Sequence, residues 1–359
     1  RPEDDNEMNT RRRFLLDAAA AAAAACLAPL RASSQPARKE IRVGGKRVKV
    51  VDVHAHCVFP EVTQRLPEAK APRVAPPTLV LGPERFAAMD ERGIDVQALS
   101  VNFYWWYSAE RDLAAKIVAI HDEGLAAWCK QHPDRFVSLS SVALQFPDLA
   151  AAQLEHAVKS LGARGASIGG HVEGEPPTAA KYDPFWAKAQ ELDVPVFMHP
   201  NSALNIARDG SLAGRGSLPN IVGNPLETTV FLSHLIFDGV LDRFPKLKVC
   251  AAHGGGYLPS YLGRSDAACV VRDDANCANK RKPSEYFKDR ILVDSMVFSS
   301  EGLRHLVAET GVSQVVYGSD MPYLWPDTID LIVAAPFLRD ADKEAILGGN
   351  LLELLRIAA

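Results

Sequence analysis

Nowhere in the 359 residues does a CxxC pair occur; the six cysteines (Cys26, Cys57, Cys129, Cys250, Cys269, Cys277) stand apart. That spacing indicates neither a zinc knuckle nor a disulfide framework, and only Cys269 and Cys277 are near enough in sequence to bridge in an oxidising compartment. No glycine-rich GxGxxG or Walker loop follows any apolar run, which removes the commonest reason for an open nucleotide-binding sheet. Neither sign of charge is in large excess: 40 Lys and Arg against 44 Asp and Glu leave a slightly acidic formal net charge of −4. This balance gives no reason to expect nucleic acid or an anionic membrane surface as a partner. Internal repeats are absent, and so is low complexity outside the N-terminal Ala-rich stretch.

What is present begins with that stretch, "TRRRFLLDAAAAAAAACLAPLRA". A basic start, an apolar run from Ala18 to Leu30 and small residues before Ser33 have the layout of an export signal. Thr10-Arg11-Arg12-Arg13-Phe14-Leu15 is similar to the twin-arginine signal that exports folded proteins, with Met8 read as the start. The apolar run is too short for an ordinary membrane span. Residues 1–37 are therefore expected to be signal and flanking sequence, and 38–359 the mature domain. The mature chain is expected in the periplasm or secreted, with no stable membrane association.

From Ile41 onward short apolar runs alternate with longer helical patterns. Strands are predicted over 47–53, 95–101, 136–143, 165–169, 194–198, 247–252, 290–296 and 314–318. Helical patterns run from Ala109 to Gln131, Ala150 to Leu161, Pro184 to Leu192, Leu226 to Phe244 and Ser299 to Thr310. Eight strands alternating with helices in roughly 300 residues predict the α/β class, as a (β/α)8 TIM-like barrel. Two excursions, 57–83 and 201–223, would overhang the C-terminal face, where barrel enzymes build their sites.

The chemistry gathers at that face. "VVDVHAHCVFP" puts His54 and His56 two apart at the end of strand one, so both point the same way. His199 ends strand five in "VPVFMHP", His253 ends strand six in "VCAAHGGG", and Asp320 ends strand eight in "VVYGSDMP". A lone histidine at a strand end is more often a hydrogen-bonded structural residue. Five metal-competent side chains at the C-terminal tips of four parallel strands, converging on one barrel mouth, strain that reading, since burying them without a ligand costs on the order of several kcal/mol.

The sequence resembles the amidohydrolase superfamily, in its aminocarboxymuconate-semialdehyde decarboxylase-like branch, over nearly the whole mature chain. The resemblance rests on "DVHAH", "MDERGIDVQALS", "VPVFMHP", the block from Asn224 to Arg264, "SEYFKDRILVDS", "YGSDMPY" and "ILGGNLLELL". It implies the metal-dependent hydrolase type of barrel, in which His54, His56, His199 and Asp320 bind one divalent ion. Three imidazoles, a carboxylate and an open position suit zinc or manganese equally. His253 would be the acid/base residue beside the ion, with Asp320 the other group able to move a proton. Strand four reads "GASIGGH" without the lysine that bridges two ions in other members, so a mononuclear site is expected. The resemblance also assigns Arg264 to a neighbouring subunit's site in a homodimer and Arg73 to the substrate's carboxylate, with His171 in a supporting place. Arginine forks suit that task.

Departures from the branch's pattern lie at Asn201 and Asn220, where aromatics are usual, at Tyr323 in place of Phe, and in the cluster "NFYWWY". They argue against the exact muconate substrate. The expected activity is non-oxidative decarboxylation of a small unsaturated or aromatic carboxylic acid. The alternative is a hydrolase or hydratase acting on a lactone, an amide or an unsaturated diacid at the same site. A non-catalytic periplasmic metal- or ligand-binding protein is a third reading, which His253 beside the four ligands disfavours.

Overall fold

Eight short parallel strands occupy the centre of the computed structural model, which describes residues 38–71, 74–203 and 206–358. The expected signal over 1–37 and the expected carboxylate-binding Arg73 lie outside the described residues. The strands are β1 (Val51–His56), β2 (Val96–Ser100), β3 in two pieces (Phe136–Ser138 and Ser140–Ser141), β4 (Ala166–Ile168), β5 (Val196–Met198), β6 (Val249–Ala251), β7 (Ile291–Asp294) and β8 (Val315–Val316). Each lies within or overlaps its predicted run. All six positions of β1 are buried, as expected for a parallel strand covered on both faces.

The ladders form two sheets, β1-β2-β3 and the remaining strands in order up to β8, and the pairing is not continuous around the ring. Single backbone hydrogen bonds join the sheet edges. Val53 N donates to Tyr317 O (3.1 Å) and His56 N to Met321 O (2.8 Å). At the other edge the first piece of β3 pairs with β2, and the second pairs with β4. The architecture is that of a TIM-type α/β fold whose strands are too short to ladder along their whole length.

Helices α1 (Pro83–Arg92), α2 (Arg111–Gln131), α3 (Pro147–Leu161), α4 (Asp183–Glu191), α5 (Asn224–Phe237), α6 (Leu262–Val271), α7 (Pro283–Asp289) and α8 (Ser300–Thr310) connect or follow the strands. Proline in the first turn opens several of them, where its missing N–H has no intrahelical partner to lose. The helix predicted from Leu226 to Phe244 is broken after Phe237 by Gly239 at φ 69°, and a short turn of helix, Val240–Arg243, follows. Cys269 and Cys277 form a disulfide with their Cα atoms 5.8 Å apart, tying α6 to the segment after it. No helix among the described residues is long and apolar enough to cross a membrane.

The first excursion folds back on the mouth: Val58 N donates to Leu79 O (3.0 Å), and Val58, Leu79 and Phe103 pack together with Tyr323 beside them. The second reaches the same mouth through Ser217, Asn220 and Ile221. Both overhang the C-terminal face, as the sequence suggests.

One buried carboxylate ties helix to sheet. Asp122 of α2 accepts from Ser140 Oγ (2.6 Å) and from Ser141 N (3.0 Å) of β3. Burial pushes its pKa up to about 7, against the pull of these hydrogen bonds. The folded value exceeds the unfolded one, so the stability this group contributes is complete below about pH 4 and is lost as pH rises through about 7. Asp122→Asn keeps an acceptor for Ser141 N and removes the buried charge. It is expected to raise the melting temperature relative to the parent at pH 8, by about ten degrees at most, and to raise it less at pH 5. Equal gains at both pH values would refute this account.

Candidate metal centre

The strand tips deliver the expected ligands to one place. His54, His56, His199 and Asp320 are all buried, and one ligand atom from each lies within 4.8 Å of the others. Period-two alternation along β1 places the two histidines on the interior face, and Asp52 shares it. His54 Nε2 and His56 Nε2 stand 3.2 Å apart, and Asp320 Oδ1 lies 3.0 Å from the first and 2.6 Å from the second. The His56 and His199 rings meet edge-on with centroids 4.6 Å apart.

His253 is the fifth member. Its ring centroid lies 5.2 Å from that of His54 and 5.4 Å from that of His199. His253 (φ 57°) and Asp320 (φ 58°) both hold the left-handed backbone conformation, at roughly 1–3 kcal/mol each. After His253 the chain continues through Gly254, Gly255 and Gly256, all at positive φ. A Cβ on Gly256 would collide with Pro225 O and with Thr229, so this turn requires glycine. The "HGGG" signal is thus the backbone path that aims His253.

Three buried carboxylates behind these groups were not singled out from sequence. Asp294, at the end of β7, accepts from His54 Nδ1 (2.7 Å) and from the backbone N–H groups of His253 (3.0 Å), Gly254 (2.8 Å) and Met296 (3.2 Å). It fixes both a metal-competent ring and the turn that carries His253. Asp52 accepts from His54 N (3.0 Å), Ser319 N (3.0 Å), Ser319 Oγ (2.6 Å) and Gln97 Nε2 (2.8 Å), joining β1 to the turn before Asp320. Glu227 of α5 accepts from Gly170 N (3.0 Å), Asn201 N (2.7 Å) and Ser202 N (2.7 Å), so it holds the loop that follows His199. His171 supports the same loop, donating to Ser202 O (2.7 Å) and lying 3.9 Å from Glu227. The signals were available: Asp52 is in register with both histidines, and "LVDS" and "PLET" each set a carboxylate at the end or edge of an apolar run.

Electrostatics follow from burial and shared charge. Burial opposes ionisation of Asp320, yet the charges and hydrogen bonds of His54 and His56 outweigh it and hold the carboxyl well below the usual range. Burial likewise opposes a charged His54, but Asp320 and Asp294 together raise it to about 10. His56 has Asp320 alone, burial wins, and it falls to about 4. Burial lowers His199 strongly and His253 less so. One carboxylate between two imidazoles thus protonates the ring that has a second carboxylate behind it.

The donor set fits a divalent ion. Three imidazoles and a carboxylate, all buried, converge on one point, and neither His56 Nδ1 nor His199 Nδ1 has a hydrogen-bond partner among the described residues. His54 has the carboxylate partner on its far nitrogen that metal-binding histidines usually carry. To serve as a ligand it must give up its proton, so ion binding falls with acidification.

Beside the cluster opens a cavity of about 410 Å³, within the range of small-molecule sites. His56, His199 and Asp320 form one wall, Phe103, Tyr323 and Trp325 supply aromatic surface, and Asn102, Asn201, Asn220 and Asn224 supply amides. His253 does not line this cavity; it faces the cluster from beside it. Arg264 lies exposed on α6 and does not line the cavity either. A second cavity of about 440 Å³, between Phe59 and α2, contains none of the histidines of the cluster.

Residues 51–357 match the Amidohydrolase family. The chain is 32% identical over 278 residues to 2-amino-3-carboxymuconate-6-semialdehyde decarboxylase of Dictyostelium discoideum, covering 76% of this chain and 75% of that one. It is 32% identical over 256 residues to gamma-resorcylate decarboxylase of Rhodococcus jostii, covering 67% and 76%. Among solved structures it is similar to dihydroxybenzoic acid decarboxylase of Polaromonas sp. JS666 with bound manganese and the inhibitor 2-nitroresorcinol, at a TM-score of 0.73 and 26% identity over 86% of this chain and 97% of that one.

Proposed function

The chain belongs to the Amidohydrolase family, in its decarboxylase branch, and from that premise we propose that it is a metal-dependent, non-oxidative decarboxylase of small aromatic carboxylic acids. The observation that carries this reading is the four-donor cluster opening onto a cavity walled by aromatic rings and amides. His54, His56, His199 and Asp320 would hold one divalent ion, manganese or zinc; manganese is favoured by the ion bound in the Polaromonas relative. Such an ion supplies Lewis-acid stabilisation of developing negative charge on oxygen. The chain's own residues do the rest. Phe103, Tyr323 and Trp325 offer faces against which an aromatic ring can pack and exclude water. Decarboxylation breaks the ring-to-carboxylate bond, releases carbon dioxide and puts a proton on the ring carbon that held it. Two groups are placed to take up a proton from substrate or solvent and pass it on, Asp320 at the cavity wall and His253 beside the cluster.

The test is direct. Manganese-loaded protein incubated with a panel of hydroxybenzoic acids is expected to release carbon dioxide in equal amount to acid consumed, with about one metal ion per chain. Hydrolysis of lactones or amides, or water addition to unsaturated diacids, without carbon dioxide would favour the hydrolase or hydratase alternative. Two ions per chain would overturn the mononuclear reading.

We propose further that the mature enzyme works in the periplasm or outside the cell; the disulfide between Cys269 and Cys277 is in keeping with an oxidising compartment, and recovery in the cytoplasmic fraction on cell fractionation would refute it. Arg264, exposed on α6, is free to reach a neighbouring protomer in a homodimer. Sedimentation as a monomer at assay concentration would remove that role.

A further inference from the structure

Asn102 follows the last residue of β2 and lines the cavity beside His56, His199 and Asp320. It is 1% exposed, yet neither its amide nitrogen nor its carbonyl oxygen has a hydrogen-bond partner among the described residues. An amide buried with both functions unpaired is uncommon, because such a group loses its hydrogen bonds to water and gains none. The flanking Phe103 is buried as well, so the amide is not a surface group turned inward by chance.

We propose that Asn102 is a specificity-determining residue that binds a neutral hydroxyl substituent on the substrate's aromatic ring. The inference rests on the decarboxylase reading above for the identity of the ring acid. An amide offers one donor side and one acceptor side. A hydroxyl, which also donates and accepts, satisfies both at once. A second carboxylate would only accept and would set its charge against the amide's carbonyl oxygen. The structure therefore assigns this wall to a hydroxybenzoic acid carrying an uncharged second substituent, not to an aromatic diacid. Sites that hydrogen-bond a substrate hydroxyl reject analogues lacking it, because the protein group is then left unpaired.

The experiment uses manganese-loaded full-length mature protein, calorimetric titration and a set of ring acids. The set comprises 2-hydroxybenzoate, its derivatives with a second hydroxyl at each remaining ring position, and the matching dicarboxylates. The parent is expected to bind one dihydroxy acid at least about tenfold more tightly than 2-hydroxybenzoate, and the corresponding dicarboxylate more weakly. Asn102→Leu, close in shape but without polar atoms, is expected to bring the dihydroxy-to-monohydroxy ratio near one. Asn102→Asp, which loses the donor and gains a charge, is expected to reduce the ratio too and to weaken every ring acid. Metal content is measured on each variant, so a collapsed site is recognised by loss of the ion and the other variant then decides. A ratio unchanged by either substitution, or a parent with no preference at any position, would mean that Asn102 holds only water and would overturn the proposal. Carbon dioxide is measured in the same titrations, so heat of turnover is separated from heat of binding, and a failure of the decarboxylase reading shows separately, as acids that bind without releasing it.

Discussion

His253→Asn is expected to keep its full complement of metal while turnover falls by about 10² to 10⁴, the range for removing a positioned acid/base group. Asparagine is the right replacement because position 253 sits at φ 57°, a conformation that Asn tolerates better than most residues. It also keeps the backbone N–H that donates to Asp294 at 3.0 Å, so the turn stays anchored. The imidazole stands beside the cluster, with its ring centroid 5.2 Å from that of His54. Burial lowers its pKa, with the charge of His54 acting in the same direction, so the ring is neutral at neutral pH and can accept a proton. Its Nδ1 has no partner among the described residues. Metal analysis and initial rates on the same preparation check the expectation. Turnover near the parent's would remove His253 from the chemistry and leave Asp320 as the group that moves the proton. Loss of metal would show instead that the ring helps hold the ion.

The contrast with the groups behind it shows what sequence can and cannot reveal. Strand ends are legible because an apolar run that stops at a polar residue marks both the strand and its tip, so His54, His56, His199, His253 and Asp320 could be placed at one mouth. The carboxylates behind them are harder to read. Asp294 closes "ILVD" as any solvent-facing aspartate might close a strand, and only its four hydrogen bonds reveal that it faces inward. Glu227 is built into a helix, where one acidic residue in the first turn has a ready explanation as a partner of the helix dipole. Its actual partners, Gly170, Asn201 and Ser202, come from loops 57 to 25 residues away in sequence. Strand length was also beyond the pattern. The run 314–318 reads as one strand, but only Val315–Val316 ladder, because Tyr317 onward bonds to β1 and to Ile346 residue by residue. Arg264 shows the limit from the other side: exposed on α6, it cannot be told, in one chain, from any other surface arginine.

Asp294→Asn is expected to weaken metal binding by about ten- to a hundredfold, the range for losing a partner behind a metal-binding histidine. The carboxylate has two oxygens and four donors: His54 Nδ1 and His253 N on Oδ2, Gly254 N and Met296 N on Oδ1. An amide has one oxygen, so whichever way it turns, its NH2 group faces an N–H donor. If it faces His54, the ring is released to rotate or to change tautomer, and a ligand loses its aim. If it faces Gly254 and Met296, the positive-φ turn that carries His253 loses its anchor. Charge acts in the same direction. Burial works against ionisation of Asp294, but the hydrogen bond and charge of His54 outweigh it and hold the pKa below the usual range, so the parent keeps a carboxylate here at neutral pH. Removing that charge makes His54 a weaker base toward a cation. Competition with a chelator of known affinity measures the loss. Turnover measured at saturating metal then separates the two consequences: His54 alone gives a rate that recovers when metal is added, whereas a displaced His253 turn gives one that does not. An unchanged metal affinity would show that His54 is held by packing against Phe197 and His199 and that Asp294 serves only the turn.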